Sequence, residues 1–305
     1  MLKFVLTKLG MAALVALTVS FISFILLFMA GDPAIAIAGE GAPAEVITAI
    51  RSQYGFDQPL MLQYVEWLMR ALSGDFGMSY YFKQPVSGMI ADRLPVTMMI
   101  GFLGMSFALL LAIPMGVLAA AFPNTIIDRL ALGIAVVGQA IPSFWFGLIL
   151  IVIFSVNLGL VPASGTGSWT GYILPTIVLG YYATPAIMRL TRAGMLEVLS
   201  SDYIRTARAK GLKPRQVLFK HALRNAIIPV VSLSAVQLGF MFSGSVVVET
   251  IFALHGAGFL AWESISRNDL PTMQALILIF AMFYIVFTFL ADVLNAWLDP
   301  RLRAA

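Results

Sequence analysis

Cysteine is absent from this 305-residue sequence, and it contains only two histidines, His221 and His255. Without cysteine there can be no disulfide framework, no cysteine-ligated zinc and no thiol nucleophile. Two histidines leave little for metal binding or acid–base chemistry. The sequence therefore predicts neither a metal site nor a catalytic group.

Charge is also scarce, since 11% of the residues are charged and 60% are apolar, with a mean hydropathy of +0.92. A soluble domain carries about 25% charged residues, so this chain has too few charges to cover a globular surface in water. The 22 phenylalanines and 5 tryptophans argue against a disordered chain, because so apolar a chain would collapse. These proportions predict an integral membrane protein.

Membrane crossings can be located from stretches that lack Asp, Glu, Lys and Arg, because each such residue costs about 2.5–3.5 kcal/mol at the bilayer centre. Five stretches qualify: residues 9–31, 94–127, 130–188, 225–248 and 270–291. The third is too long for one helix, and its Gly-, Pro- and Ser-rich middle divides it into crossings near 131–157 and 172–191. We therefore predict an all-α integral membrane fold with six transmembrane helices. The first apolar run exceeds the about 7–15 residues of a signal peptide, which favours a retained helix.

Basic residues indicate the orientation of these helices. With both termini in the cytoplasm, 14 of the 19 lysines and arginines face inward and 5 face outward, in agreement with the positive-inside rule. We therefore predict two cytoplasmic termini and an extracytoplasmic cap over residues 32–93. Because the membrane explains the basic residues, the net charge of +4 does not indicate nucleic acid binding.

Seven of the basic residues fall between Arg205 and Arg224, in a predicted cytoplasmic loop over residues 193–226, here called the basic loop. Ser200, Ser201 or Asp202 can begin a helix there, and Gly211 supplies a left-handed residue that ends it. Pro214 then suits the first turn of a second helix. Two interpretations of the loop stay open on physical grounds: attraction to anionic lipid headgroups, or a docking surface for another protein.

The sequence of the basic loop resembles a known family. D-Y-x-R-T-A-R-A-K-G at 202–211, followed by H-A-L-R-N at 221–225 and Pro229, is similar to the coupling motif of permease subunits in peptide-type (dipeptide, oligopeptide and nickel) ATP-binding-cassette importers. Further matches follow in the family's order: YGFDQPLMLQYVEWL (54–68), GDFGMSY (74–80), RLPVTM (93–98), PSFWFG (142–147), ETIF (249–252) and WLDPRLR (297–303). The broader importer pattern has Glu at position 205 and Pro at position 224, and both departures fit the peptide branch.

The resemblance implies a type I importer permease fold in a bacterial inner membrane. It divides the chain into a first transmembrane helix (1–31), the cap (32–93), a five-helix permease core (94–296) and a cytoplasmic tail (297–305). It also implies partners: a homologous second permease, two cytoplasmic ATPase subunits, an extracytoplasmic solute-binding protein and the lipid bilayer.

The implied function is a transport subunit without enzymatic activity, which carries di- or oligopeptides and is coupled to its ATPase through residues 197–225. The chain contains no Gly-Lys pair and therefore no G-x-x-x-x-G-K-[ST] phosphate loop. No cofactor is expected on this chain, and ATP with Mg would be used by the partner ATPase. The residues assigned to ATPase docking by the resemblance are Asp202, Tyr203, Arg205, Ala207, Ala209, Gly211 and Phe219.

Polar residues on the fifth crossing are the candidates for the translocation path, because this crossing follows the basic loop directly: Ser232, Ser234, Gln237, Ser243 and Ser245. Such residues also hydrogen-bond neighbouring helices. Glu249 and His255 are candidates for the outer mouth, with interfacial anchoring as the alternative.

Three alternatives to a peptide permease remain. Ion coupling would need carboxylates at membrane depth, and only Glu249 and Asp292 are candidates for this. The same importer role with nickel complexes, glutathione or sugars is a second alternative. A lipid-bound structural or assembly protein is the third.

Overall fold

The structure, a computed structural model, describes residues 2–39 and 41–298, and within these ranges it is built from helices. The predicted tail from residue 299 onward, with Arg301 and Arg303, lies outside the described residues. The first five helices form the N-terminal part: α1 (Leu2–Ala30), α2 (Pro33–Ala38), α3 (Ala44–Gln53), α4 (Leu60–Leu72) and α5 (Val86–Ala121).

The remaining helices form the rest of the core: α6 (Ile126–Ala140), α7 (Ser143–Leu150), α8 (Ile173–Leu199), α9 (Asp202–Ala209), α10 (Leu223–Ala226), α11 (Ile228–Ile251), α12 (Ala257–Ser266) and α13 (Leu270–Leu298). A π-helical segment, Ile151–Asn157, extends α7, a short 3-10 turn, Trp169–Tyr172, precedes α8, and a second π-helical segment, Gln216–Ala222, precedes α10. The predicted all-α fold is confirmed.

Among the described residues, five helices are long and apolar enough to cross a membrane: α1, α5, α8 with its preceding turn, α11 and α13. The third predicted crossing, near 131–157, is broken, because α6 and the helix that begins with α7 meet at an angle of 102°. Pro142 causes the break: it has no N–H to continue the helix, and it holds Ile141 extended at ψ 122°. Six crossings are obtained when this bent pair counts as one span.

The second crossing begins earlier than its charge-free run, at Val86 rather than at residue 94. Its first turns include Arg93, whose guanidinium donates to Glu263 at 2.8 Å, so the helix extends beyond the purely apolar segment. Charge-free runs mark the part of a helix that suits hydrocarbon, whereas the helix itself continues as long as its backbone bonds are made.

Helices α5 and α8 form the centre of the core and approach each other closely at glycines. A β-carbon on Gly180 would lie 2.4 Å from the carbonyl oxygen of Gly104, and one on Gly116 would lie 2.7 Å from that of Met188. Small residues at such crossings let helix backbones come within dispersion contact, which stabilises helix pairs in a membrane. The glycines therefore set the α5–α8 distance.

Buried ionic contacts join further helices to this pair. Asp128, near the start of α6, is 3% exposed and accepts from Arg192 of α8 through both carboxylate oxygens, at 2.6 and 2.8 Å. The geometry is bidentate, the strongest form of carboxylate recognition by arginine. This pair holds α6 against α8.

The cap packs on α1 and on the start of α13. Tyr64 of α4 shares a 2.8 Å hydrogen bond with Ser20 of α1, next to the buried rings of Phe24 and Trp67. The fully buried Asp269, just before α13, accepts from the Ser79 hydroxyl at 2.6 Å and from the Tyr80 amide at 2.8 Å. These contacts place the cap at the opposite end of α5 from the basic loop.

We expect Gly180→Leu to lower the stability of the folded chain by about 1–3 kcal/mol or more, because the new side chain must displace the backbone of α5. The matched control is Gly133→Leu in α6, where an added β-carbon meets nothing within 4 Å. The measurement is the thermal midpoint of the purified protein in detergent. Equal midpoints for the two variants would contradict the close α5–α8 contact.

Candidate functional site

The basic loop folds as its sequence predicts: α9, a turn at Gly211 with φ 76°, and a second helical segment that leads through α10 into α11. Ser201 precedes α9 in an extended conformation, but its hydroxyl donates back to the Val198 carbonyl at 2.6 Å rather than capping the helix. The predicted order of helix, turn and helix is confirmed.

One face of α9 is buried and the other is exposed. Ile204 is fully buried and Ala207 is 7% exposed, and both belong to an apolar cluster that includes Val117 of α5 and Met195 of α8. Positions three apart lie on the same face of a helix, so this spacing seats α9 against the end of the α5–α8 pair. A displacement of α9 would therefore be transmitted directly to two long helices.

Residues assigned to docking divide between these two faces. Six of them are exposed: Asp202, Tyr203, Arg205, Ala209, Gly211 and Phe219. Ala207 is buried and supports the helix from beneath, so it presents no surface to another molecule. Its assignment to docking is corrected here, because helical periodicity places it with Ile204.

Charges on the exposed face are available to a partner. Asp202 and Arg205 form an ion pair at 2.9 Å, but their side chains are 90% and 75% exposed, and pairs in such positions contribute little to stability. Tyr203 is more constrained, because its hydroxyl accepts from the Asn225 amide at 2.7 Å and so joins α9 to α10. No pattern in the sequence indicated Asn225 as the partner that orients Tyr203.

A cavity of about 480 Å³ lies between α7, α8 and α11. Two of the predicted path residues, Gln237 and Ser243, line it, together with Ser143, Tyr182 and Phe240. Tyr182 and Phe240 are more than half exposed, so the cavity opens on an uncovered face of the helices. No sequence pattern distinguished Tyr182 and Phe240 from residues that face lipid.

The other three predicted path residues are engaged within the helices. Ser232 accepts from the Asn295 amide of α13, and Ser234 donates to the Val230 carbonyl at 2.7 Å. Ser245 is fully buried and donates to Glu249 at 2.9 Å. Ser232 thus bonds a neighbouring helix, which is the alternative noted for polar residues in membrane helices, whereas Ser234 and Ser245 bond within α11.

Glu249 is completely buried at the end of α11 nearest the cap. Its Oε1 accepts from Thr97 of α5 at 2.7 Å and from Ser245, while its Oε2 accepts from the Phe259 amide of α12 at 2.7 Å. A carboxylate at the first turn of a helix satisfies free N–H groups and complements the helix dipole. Glu249 thus joins three helices from inside, and its predicted place at the outer mouth is corrected to an internal capping position.

His255, also assigned to the outer mouth, is exposed and packs against the Phe259 ring at a centroid distance of 5.0 Å. Asp292, the other carboxylate considered for ion coupling, forms an ion pair with Lys8 at 2.9 Å. Among the described residues there is no cluster of three or more His, Asp or Glu that could hold a metal ion.

Comparison with known proteins gives consistent matches. The model of the family described as "Binding-protein-dependent transport system inner membrane component" matches residues 112–304, and the model of its N-terminal part matches residues 1–101. The glutathione transport system permease protein GsiC of Escherichia coli K12 is 43% identical over 273 residues, covering 90% of this chain and 89% of the relative. GsiC of Salmonella typhimurium LT2 is 40% identical over 304 residues, covering 99% of both chains.

A solved structure, the inward-facing MetNI methionine ABC transporter, superimposes with a TM-score of 0.57 at 19% identity, over 69% of this chain and 96% of that one. At this identity the likeness concerns the fold alone. The superimposed part of this chain therefore shares the arrangement of its helices with a solved transporter.

We expect Glu249→Ala to destabilise the protein strongly, because the donors on Thr97, Ser245 and Phe259 would stay buried without an acceptor. Each such group lowers the free energy of unfolding by about 1–3 kcal/mol. The control is Glu263→Gln, which removes a partly exposed ion pair worth about 0–1 kcal/mol. Thermal midpoints in detergent provide the measurement. A Glu249→Ala midpoint as high as that of the control would refute the capping role.

Proposed function

The chain belongs to the family of binding-protein-dependent transport system inner membrane components, and from this premise we propose that it imports glutathione or another short peptide. The chain is an ABC importer permease subunit of the bacterial inner membrane, so the motif resemblance is confirmed at this level. The choice of solute is supported by the identity with the two glutathione permeases over nearly their whole length.

The cavity between α7, α8 and α11 is the proposed site of passage. Its lining combines aromatic rings with a glutamine amide and serine hydroxyls, which suits a solute built from peptide groups. It contains no charged residue among those that line it, so a zwitterionic solute would not be held by an ion pair. A second permease subunit closes the open face in this proposal, since Tyr182 and Phe240 remain exposed in the single chain.

The exposed face of α9 is the proposed contact with the ATPase. Its buried face already rests on α5 and α8, so a force applied to the exposed face acts on α8, which lines the cavity. The positive-inside distribution of lysine and arginine supports a cytoplasmic position for this loop. In this proposal a separate partner hydrolyses ATP, which agrees with the lack of a Gly-Lys pair for a phosphate loop in this sequence.

Stimulation of ATP hydrolysis identifies the solute. The importer, reconstituted in liposomes with its binding protein and ATPase subunits, is expected to hydrolyse ATP faster with glutathione or a dipeptide than with nickel or a sugar. Gln237→Leu should reduce this stimulation, because the amide that meets peptide groups is lost. Asn157→Leu, outside the cavity lining, is the control. Stimulation by nickel or a sugar alone would reject the peptide assignment and leave the permease role intact.

Gly211→Val tests the coupling loop. Valine is strained at φ 76°, although an added β-carbon would meet nothing within 4 Å, so we expect the turn after α9 to change direction while the membrane core stays folded. Co-purification of the ATPase and solute uptake should both be lost. Gly159→Val is the matched control, because Gly159 has φ 62° and equally open surroundings in a different loop. Normal ATPase co-purification with Gly211→Val would contradict docking at this loop.

A further inference from the structure

A second cavity system lies away from the proposed path, between α1, α4 and α13. The part farther from the cap is an apolar groove of about 650 Å³, here called the groove, lined by residues such as Ala13, Ala16, Leu278 and Met282. Leu17, which lines the groove, and Leu14 beside it are at least half exposed. This face of α1 therefore meets the hydrocarbon of the bilayer. An apolar groove in that position is suited to an acyl chain.

A cavity of about 660 Å³ with charged side chains in its lining, here called the chamber, lies at the cap end of the groove. Phe76 lines both spaces, and on α4 the chamber residue Trp67 is followed by the groove residue Leu68. On α13, Gln274 of the chamber and Leu278 of the groove are one helical turn apart. The two spaces therefore follow each other along the same helices, with the groove between the long apolar helices α1 and α13 and the chamber beneath the cap.

The chamber contains two acidic and two basic residues, Glu66, Asp75, Arg70 and Lys83. None of the four takes part in an ion pair within 4 Å among residues 2–39 and 41–298, although all of them line one space. Both signs of charge are thus available to a ligand that carries both.

An unpartnered amide adds a directional contact. Gln274 is 4% exposed, and its Nε2 has no hydrogen-bond partner in the described part of the chain. Buried amide N–H groups are nearly always satisfied, so one that lines a chamber marks a place for a ligand oxygen. Tyr80 lines the same chamber, and burial raises the pKa of its phenol above the ordinary value, so the hydroxyl keeps its proton and can donate.

We propose that the groove and the chamber together bind one phosphatidylethanolamine molecule, with an acyl chain in the groove and the zwitterionic headgroup in the chamber. Arg70, Lys83 and the Gln274 amide are donors for the phosphate, and Glu66 and Asp75 are acceptors for the ammonium. Choline lacks N–H donors for these carboxylates, and a glycerol headgroup lacks the cation. The proposed path shares no lining residue with this lipid site, so the assignment goes beyond solute import.

Lipid competition tests the site. The full-length chain, purified with its partner subunits, is exchanged into detergent that contains equimolar phosphatidylethanolamine, phosphatidylcholine and phosphatidylglycerol, and retained lipid is counted by native mass spectrometry. One phosphatidylethanolamine should remain on each copy of the chain. The double variant Arg70→Gln, Lys83→Gln should retain about tenfold less, since each basic residue at a lipid headgroup contributes several-fold.

Matched controls separate the lipid site from general effects. Arg267→Gln removes another cap-end arginine, which stacks on Tyr81 outside the chamber, and should leave retention unchanged. Ala16→Phe fills the groove and should reduce retention, whereas Val15→Phe on the adjacent exposed face should not. If the double variant does not assemble, Gln274→Leu removes the buried amide alone and should lower the retention of phosphatidylethanolamine, because the phosphate loses one donor.

Three results would overturn the proposal. Equal retention of the three lipids would indicate an ordinary lipid shell, and unchanged retention in all groove and chamber variants would place the lipid elsewhere. Displacement of the lipid by glutathione or dialanine added in excess would show that the chamber is a solute site.

Discussion

A carboxylate removed from water needs a hydrogen-bond donor for each of its oxygens, and Glu249 imposes this requirement where α5, α11 and α12 meet. Its donors come from Thr97, Ser245 and the first turn of α12, so the carboxylate determines how closely the three helices approach. Gly256 must lack a side chain because its β-carbon would lie 2.5 Å from Oε2. The path of the chain from α11 into α12 follows from this one buried group.

Scarcity of charge gives the remaining ionic groups distinct roles. Inside the helix bundle they fasten helices together, through an ion pair in the bidentate contact between Asp128 and Arg192 and through neutral donors at Glu249. At the two ends they stay available, on the exposed face of α9 and in the chamber beneath the cap. The cavity of the proposed path lies between these ends, in contact with helices that α9 supports. The groove follows α1 and α13 instead, so solute and lipid are assigned to different faces.

Properties that depend on neighbours in sequence could be predicted without the structure. Charge-free runs located the long helices, and Gly211 correctly marked the end of α9, because left-handed backbone is a local requirement. The break at Pro142 could have been found in the same way, since proline excludes an uninterrupted helix, yet the apolar run around it suggested one crossing. The docking assignment of Ala207 failed for a related reason: a motif names residues without stating which helix face is covered.

The sequence by itself determined that this chain is an all-helical membrane protein of the importer permease family with a helical, basic loop, because hydropathy and motif order are properties of the chain alone. Only the tertiary structure decided which polar residues face a cavity and which serve packing. Ser243 and Ser245 are two positions apart on one helix, yet one lines the cavity and the other is bonded to Glu249. Such differences arise from partners distant in sequence, and those partners meet only when the helices pack.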